Sequence, residues 1–316
     1  MYVIYNPGHK LHDPPFEHYD GVAAPYAETS ARAEAIIDRL RMDQRLVIRR
    51  PTRRAVREDI KQIHHPAYVN FLQRRASQLR GDEILYPSYF MTDTYAPVTA
   101  HTYRTAVDAV RTALTAADIV LAGESAAYAL CRPPGHHAEH TSMGGYCYFN
   151  NAAIAANYLN QHGRVAILDI DFHHGNGTQH SFYDRSDVLY VSIHADPLAR
   201  YPYISGFRDE TGRGEGIGFT KNYPLPLGTI DQKYLRVLRR ALRDITDFRP
   251  EYLVVSAGFD TYEQDPIGGF ALTVPGYAQI GQMIVALHLP TVIIQEGGYH
   301  VASLGNIAHA FLQSFL

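Results

Sequence analysis

The residues best suited to chemistry in this 316-residue chain stand in four short stretches. They read RPPGHHAEHTSMGGY, IDFHHGNGTQ, AGFDTYEQDP and EGGYH. Asp171 and His173 are two positions apart, and side chains at that spacing in extended backbone point the same way. Asp260, an isolated acid after another apolar run, could reach the same ion. One histidine and two carboxylates with an open coordination position suit a single catalytic Zn²⁺.

The remaining polar residues of these stretches suit proton transfer. His136 and His137 are adjacent, and two neighbouring imidazoles can divide the tasks of base and acid. Asp169 and Asn176 are placed to orient them through their second ring nitrogens. The Tyr299 hydroxyl could donate to an oxyanion. With a metal that polarises a carbonyl and acidifies a water, this set predicts hydrolysis.

Each motif also has a structural interpretation when it is taken alone. Asp171 could cap a helix while His173 is a buried, hydrogen-bonded histidine. The pair His136 and His137 could be structural, and Tyr299 could serve packing. The functional interpretation therefore depends on whether the four stretches converge.

The predicted secondary structure brings them together. Strands are predicted at 2–5, 126–131, 165–169, 188–193, 252–256 and 291–295, and helices at 31–41, 66–79, 100–117, 151–162, 230–247, 275–287 and 304–315. The strands are short and apolar throughout, as in parallel sheets covered on both faces. Strands that alternate with helices indicate an α/β fold. Each polar stretch follows a predicted strand, and ligands bind at the carboxyl ends of parallel strands.

Composition excludes several classes of protein. The chain has 29 basic and 32 acidic residues, so no basic excess suggests nucleic-acid binding. Its two cysteines are too few for a disulfide framework and indicate a reducing compartment. We see no signal peptide and no apolar run long enough to span a bilayer. We therefore expect a cytoplasmic protein of one catalytic domain over residues 1–316.

At these residues the sequence resembles the zinc-dependent histone deacetylase superfamily. The motifs RPPGHHA, GGYCYFNNAAIAA, VAILDIDFHHGNGTQ, VSIHAD, SAGFDTYEQDP and EGGY stand in family order. The segments VIYNPGHKLHDPPFE, LCRPPGHHA and FDTYEQDPI are most similar to the acetylpolyamine amidohydrolases of bacteria. The resemblance implies a single-domain, arginase-like three-layer α/β fold with a central, mostly parallel sheet. It also implies that the residues singled out above bind Zn²⁺, transfer protons and polarise the carbonyl.

The resemblance implies further site residues. Gly145, Tyr146 and Tyr201 would line a tunnel for an acyl-amine chain, and Glu17 at the mouth could attract a distal ammonium group. A K⁺ or Na⁺ site is expected at Asp169, Asp171, His173 and Ser192.

One segment departs from the polyamine branch. Members of that branch carry a long insertion that builds their dimer and narrows the site, whereas residues 81–97 are short here. This segment is closer to the ordinary deacetylase loop, in which an aspartate contacts the substrate, and Asp93 is the candidate. The chain could therefore be a monomer or a homodimer.

These observations predict a zinc deacetylase that acts on a small acetylated amine, with acetylpolyamines first. Acetyl-lysine in proteins or another acylated metabolite is the close alternative. A two-metal, arginase-like ureohydrolase is a remote alternative, because a second metal needs further ligands and Gly175 has no side chain to ligate it. A non-catalytic binding protein on the same fold would not need the full set of polar residues.

Overall fold

The computed structural model describes residues 1–19 and 21–316. It has one eight-stranded sheet in which every pairing of neighbours is parallel. The sheet strands are β1 (Tyr2–Tyr5), β4 (Val47–Arg49), β5 (Ala126–Leu130), β6 (Val165–Asp169), β7 (Val188–Ala195), β8 (Thr220–Leu225), β9 (Tyr252–Ala257) and β10 (Thr291–Gln295). Their spatial order is β4-β1-β5-β10-β9-β6-β7-β8. A separate antiparallel hairpin pairs β2 (Phe16–Tyr19) with β3 (Val22–Pro25).

Helices cover both faces of the sheet. They are α1 (Ser30–Leu40), α2 (Arg57–Ile63), α3 (Pro66–Gln78), α4 (Thr102–Leu121), α5 (Asn151–Leu159), α6 (Asn176–Phe182), α7 (Asp231–Phe248), α8 (Val274–Val285) and α9 (Val301–Leu312). One apolar core contains residues of α1, α7, α8 and α9, and the other contains residues of α2 to α5. The fold is therefore a three-layer α/β arrangement, as expected from the alternation of strands and helices.

The sequence of β6 shows why the sheet is buried on both sides. Val165 and Ile167 belong to one core, and Ala166 and Leu168 belong to the other. Because successive side chains of a strand point to opposite faces, a strand covered twice must be apolar at every position. The first polar residue, Asp169, stands where β6 ends and the loop with the predicted ligands Asp171 and His173 begins. Among the described residues, no helix is long and apolar enough to cross a membrane.

Candidate metal centre and active site

Two neighbouring strands carry the three predicted metal ligands on the loops that follow them. β6 pairs with β9, and Asp169 lies opposite Ser256 at the carboxyl edge. Beyond that edge, His173 Nδ1 is 2.9 Å from Asp260 Oδ2 and 3.4 Å from Asp171 Oδ1. One donor atom from each of the three residues lies within 4.8 Å of the others. Both carboxylates are fully buried.

This donor set fits a tetrahedral divalent metal. Ligand atoms about 2.0–2.2 Å from a zinc ion lie roughly 3.3–3.5 Å from one another, close to the separations found here. Backbone amides hold the carboxylates in place. His173 N donates to Asp171 Oδ1, Gly297 N to Asp171 Oδ2 and Phe172 N to Asp260 Oδ1, at 2.8–2.9 Å. Backbone amides of the loops after β6 and β10 therefore fix the positions of the two ligand carboxylates.

The electrostatics of the three ligands point to a cation. Burial disfavours charge on His173, but hydrogen bonds to Asp171 and Asp260 outweigh it and raise the His173 pKa to about 9. Burial and repulsion from Asp171 raise the pKa of Asp260 to about 7. His173 and, in part, Asp260 thus hold protons where a metal would otherwise compensate the charge of the two buried carboxylates.

Glycines make the close packing around the ligands possible. A Cβ at Gly297 would lie 2.6 Å from both Asp171 Oδ2 and Asp260 Oδ2. A Cβ at Gly175 would lie 2.3 Å from Asp169 Oδ2, so no ligating side chain fits there. Within residues 1–19 and 21–316, the triad is the one group of three or more acid, histidine or cysteine side chains with metal-site spacing.

The adjacent histidines have different partners. His136 Nδ1 is 3.1 Å from the Asp169 carboxylate, and His137 Nδ1 is 2.8 Å from Asn176 Oδ1. Burial disfavours charge on His136, but Asp171 and Asp169 outweigh it and raise its pKa to about 10. Burial and the positive charge of His136 hold the His137 pKa well below its usual range. His137, which lines the cavity, is therefore the neutral member of the pair.

The loop after β10 presents Tyr299 to the same cavity. Asp265 fixes its backbone, because Asp265 Oδ2 accepts from Tyr299 N at 2.6 Å and from His300 N at 3.1 Å. The buried Arg32 of α1 donates to the Glu296 carbonyl at 2.7 Å, and its Cζ lies 4.5 Å from the Tyr299 ring centroid. The tyrosine is thus supported from two elements far apart in sequence.

The cavity above the triad has a volume of about 450 Å³. It is lined by Glu17, Tyr19, Tyr95, His137, Gly145, Tyr146, His173, Arg200, Tyr201, Tyr203, Pro266, Ile267 and Tyr299. The Tyr201 ring lies 4.8 Å from that of His137, and the Tyr146 ring 5.7 Å from that of Tyr299. The walls of the cavity are therefore largely aromatic.

Gly145 and Glu17, two of the residues expected to bind substrate, lie in the cavity wall. Gly145 has a φ of 51°, and a Cβ there would lie 2.4 Å from His137 Cδ2, so a side chain would displace the imidazole. Glu17 is only 7 % exposed and accepts from the Tyr146 hydroxyl at 3.1 Å. Burial raises its pKa. Glu17 is thus part of the site and is not a solvated surface acid.

Asp93 lies behind the cavity wall and is not among its lining residues. Its carboxylate accepts from the Tyr201 hydroxyl at 2.7 Å and from Gly145 N at 2.9 Å. Asp93 thus holds two residues that line the cavity, and its other oxygen accepts from Tyr95 N at 2.8 Å. That Asp93 also contacts the substrate stays a prediction.

Two of the residues expected to bind a monovalent cation, Asp171 and His173, belong to the triad. The other two, Asp169 and Ser192, are opposite one another in the pairing of β6 with β7. Asp169 Oδ1 accepts from Asp171 N at 3.2 Å, and Ser192 Oγ is 2.7 Å from His194 Nδ1. The K⁺ or Na⁺ site stays a prediction.

Three residues of the site escaped sequence reasoning. Arg32 is in a helix, where an arginine resembles any surface cation, and its contact with Glu296 spans 264 positions. Asp265 stands in the AGFDTYEQDP stretch, but the prediction for that stretch rests on Asp260 alone. Arg200 follows no motif. Of these three residues, only Asp265 stands in a stretch that the sequence indicates as part of the site. That proximity is the one signal that could have found it.

Comparison with known proteins places this site in a family. The family model for the histone deacetylase domain matches residues 26–315. The chain belongs to the histone deacetylase family. An acetylpolyamine amidohydrolase of Burkholderia pseudomallei is 48 % identical over 250 residues, which cover 79 % of this chain and 73 % of the relative. Acetylpolyamine amidohydrolase 2 of Pseudomonas aeruginosa is 40 % identical, and the alignment covers 100 % of this chain and 98 % of that relative.

A solved structure agrees with the sequence comparison. The crystal structure of an acetylpolyamine aminohydrolase from Burkholderia pseudomallei has a TM-score of 0.94 at 39 % identity, covering 100 % of this chain and 98 % of the other. Members of the histone deacetylase family hydrolyse amide bonds. The similarity to this branch and the α/β fold expected from the sequence are therefore confirmed.

Proposed function

We propose that this chain is a zinc-dependent deacetylase that removes acetyl groups from small acetylated amines, with acetylpolyamines as the first substrate class. The observation that carries the proposal is the convergence of the triad, the His136–His137 pair and Tyr299 on one aromatic-walled cavity. The names of the most similar relatives support the substrate class. We further propose one Zn²⁺ per chain at the triad and K⁺ or Na⁺ near Asp169 and Ser192.

The residues of the site divide the work of amide hydrolysis. Zinc at the triad would supply Lewis acidity toward the acyl oxygen and toward water. Asn176 accepts from His137 Nδ1–H, which leaves Nε2 free to take a proton from the attacking water. The C–N bond breaks as a new C–O bond forms, and the imidazolium returns that proton to the leaving amine. Tyr299 donates a hydrogen bond to the acyl oxygen as negative charge develops on it.

The cavity walls favour a slim aliphatic amine. Tyr146 and Tyr201 provide apolar ring faces for a methylene chain. Glu17, whose carboxylate lies beside the Tyr146 hydroxyl, offers a negative charge to a distal ammonium group. This arrangement supports a polyamine more directly than it supports a neutral acylated amine.

One observation favours the second candidate, an acetyl-lysine substrate in a peptide or as a free amino acid. Arg200 is one of the residues that line the cavity, and its Nη1 donates only to the Ala199 carbonyl. Within the described residues, no carboxylate lies within 4.0 Å of the Arg200 guanidinium. A cation in the cavity wall repels a distal ammonium group and attracts a carboxylate.

Steady-state kinetics on a panel of substrates would separate the candidates. Acetate release would be measured from N-acetylputrescine, an acetylated spermidine, free Nε-acetyl-lysine and an acetyl-lysine peptide. We expect the acetylpolyamines to have the highest kcat/KM. The isosteric variant Glu17→Gln should lower that value roughly tenfold for them alone, in keeping with loss of one charge contact of about 1.4 kcal/mol. Equal turnover of the peptide would contradict the polyamine assignment, and no acetate from any substrate would contradict the chemistry.

A further inference from the structure

A hydrogen-bond chain runs from the active-site histidine His137 to the protein surface. His137 Nδ1 is 2.8 Å from Asn176 Oδ1, and Asn176 Nδ2 donates to Glu139 Oε1 at 2.7 Å. His180 Nδ1 is 3.0 Å from the same Glu139 oxygen. The His180 side chain is 45 % exposed and lines a solvent-facing cavity of about 400 Å³. Neither Glu139 nor His180 has a place in the proposed reaction.

Glu139 is held in a fixed position by its own backbone. Its amide donates to the Ser142 carbonyl at 2.9 Å, and its carbonyl is 2.8 Å from Nδ1 of the buried His64. The carboxylate is therefore presented to Asn176 by a rigid turn directly after the His136–His137 pair. Asn176 Nδ2 also donates to the His137 carbonyl in a longer contact of 3.4 Å. This contact favours the same orientation of the Asn176 amide.

The chemistry of the groups decides which atoms carry hydrogen. A carboxylate only accepts, so the part of the Asn176 amide that faces Glu139 must be its NH₂ group. The Asn176 oxygen then faces His137, and because that oxygen only accepts, His137 Nδ1 must carry the proton. The other ring nitrogen, Nε2, keeps its lone pair. A reversed amide would require the opposite tautomer, which cannot take a proton from water.

We propose that Glu139 is a positioning residue: it fixes the orientation of the Asn176 amide and thereby the Nδ1–H tautomer of His137, with His180 keeping Glu139 ionised. The chain does not relay protons, because a neutral amide between two titratable groups neither gains nor loses one. In this respect Asn176 differs from Asp169, which faces His136 directly as a carboxylate. The effect of Glu139 is one of orientation.

The ionisation of the outer pair agrees with this role. Burial alone would raise the pKa of Glu139, but its hydrogen bond with His180 and attraction to that ring hold the pKa below its usual range. The same hydrogen bond raises the pKa of His180, which also lies near the charge of Glu210. Glu139 therefore stays an acceptor through neutral pH.

The first test measures the tautomer of His137 in the unmutated protein. Nitrogen-15 shifts of histidine-labelled, zinc-loaded enzyme report which ring nitrogen carries hydrogen, and a His137→Ala spectrum assigns the signal. We expect His137 to be protonated at Nδ1 and free at Nε2. A His137 signal of the opposite tautomer would overturn the proposal. This outcome does not depend on finding the substrate, so it is distinguishable from failure of the proposed deacetylase function.

The second test compares two side chains of nearly equal length at position 139. Glu139→Gln keeps an oxygen that can accept from Asn176 and should stay within about threefold of the parent kcat. Glu139→Met fills the same space without an acceptor and should lower kcat roughly 10- to 100-fold with KM and zinc content unchanged. Glu124→Met, at an exposed acid, is the control. Equal effects of Gln and Met would indicate a packing role and overturn the proposal.

A double-mutant cycle shows whether Glu139 acts through Asn176. In an Asn176→Ala background, Glu139→Met should change kcat by less than about twofold, because the amide that it orients is gone. Losses that multiply in the double variant would refute the proposed coupling. This arm rests on the deacetylase activity proposed above, whereas the tautomer measurement does not.

Discussion

At the scale of single residues, neighbours give two adjacent histidines opposite properties. His136 faces the Asp169 carboxylate, and its pKa is raised to about 10. His137 faces the amide of Asn176, and burial and the charge of His136 hold its pKa well below the usual range. The pair therefore contains a cation and a neutral imidazole at the same pH. A bound divalent metal would offset the charge of Asp171 and thereby lower the His136 pKa.

Tyr299→Phe tests the role of the tyrosine hydroxyl. The variant should bind zinc as the parent does and lose roughly 10²–10³ in kcat, because one oxyanion donor has about that effect. Metal analysis and steady-state kinetics on the same preparation measure both quantities. Tyr203→Phe, at an exposed tyrosine of the same cavity, should leave kcat within about twofold. An unchanged rate in Tyr299→Phe would remove this residue from the mechanism.

Zinc binding should release protons in a pH-dependent way. Below about pH 9, His173 in the metal-free protein is protonated, and Asp260, with a pKa of about 7, is partly protonated near neutrality. Both must lose protons to bind metal, so apparent affinity should rise with pH. Calorimetry in buffers of different ionisation enthalpy should show the number of protons released falling by roughly 1.5 between pH 6.5 and 9.5. A constant number across this range would contradict the ligand assignment, and Asp260→Ala serves as the non-binding control.

At the scale of elements, the site is built by loops that leave neighbouring parallel strands. β5, β10, β9 and β6 are adjacent in the sheet, and the loops that follow them carry the histidine pair, Tyr299, Asp260 and the first two ligands respectively. Glu296, directly after β10, joins two of these loops because its carboxylate accepts from Gly135 N at 2.7 Å and His136 N at 3.2 Å. The site residues lie close together because the strands that precede their loops are neighbours in the sheet.

Asp265 is expected to hold the tyrosine loop in its active position. Asp265→Ala would leave four backbone amides without their acceptor, those of Ile267, Gly268, Tyr299 and His300. We expect kcat to fall roughly 10- to 100-fold while zinc content is retained, since small displacements of a catalytic group have effects of that size. Asp231→Ala is a matched control, because Asp231 also accepts from a backbone amide, that of Thr273, but away from the cavity. Equal loss in both variants would point to general destabilisation.

The sequence predicted the central elements and missed the peripheral ones. All six predicted strands and seven predicted helices are present, with ends shifted by up to a few residues. β4 has three residues, and β8 contains Lys221 and Pro224; each lies at an edge of the sheet, where the apolar pattern of a buried strand is not required. The helix α6 begins with Asn176 and Gly177, which are weak helix formers. These elements lack the pattern on which the prediction depends.

The candidate site was predictable where its residues are close in sequence or belong to family motifs. The ligands, the histidine pair and Tyr299 follow apolar strands, so position alone indicated them. The contacts of Arg32 with the Tyr299 loop and of Asp93 with Tyr201 join segments 264 and 108 positions apart. No local pattern encodes such contacts. The contact of Asp93 with the substrate stays a prediction.

At the scale of the whole molecule, a buried ionic network ties the N-terminal segment to the active-site loops. The fully buried Glu28 carboxylate accepts from Arg32 and, at 3.0 Å, from Arg132. Arg132 also donates to the His12 carbonyl at 2.6 Å and precedes the loop of the histidine pair. Removing one member of a buried charge network leaves the others unpaired, so the site depends on the integrity of the entire fold.

The chain also differs in extent from its relatives. The alignment with the Pseudomonas aeruginosa enzyme covers 340 positions against 316 residues here, so that relative has at least 24 residues without a counterpart (340 less 316). A longer relative agrees with the sequence analysis, in which segment 81–97 of this chain is shorter than the corresponding insertion of the polyamine branch. Whether the chain is a monomer or a homodimer stays a prediction.

The central claim is that one metal ion at Asp171, His173 and Asp260 is required for amide hydrolysis. The most direct measurement is a titration of chelated, metal-free enzyme with Zn²⁺ while acetate release from N-acetylputrescine is followed. We predict no activity without metal, a linear rise with added zinc, and a plateau at one zinc per chain. Hydrolysis by the metal-free enzyme, or a plateau reached only at two metals per chain, would contradict the account.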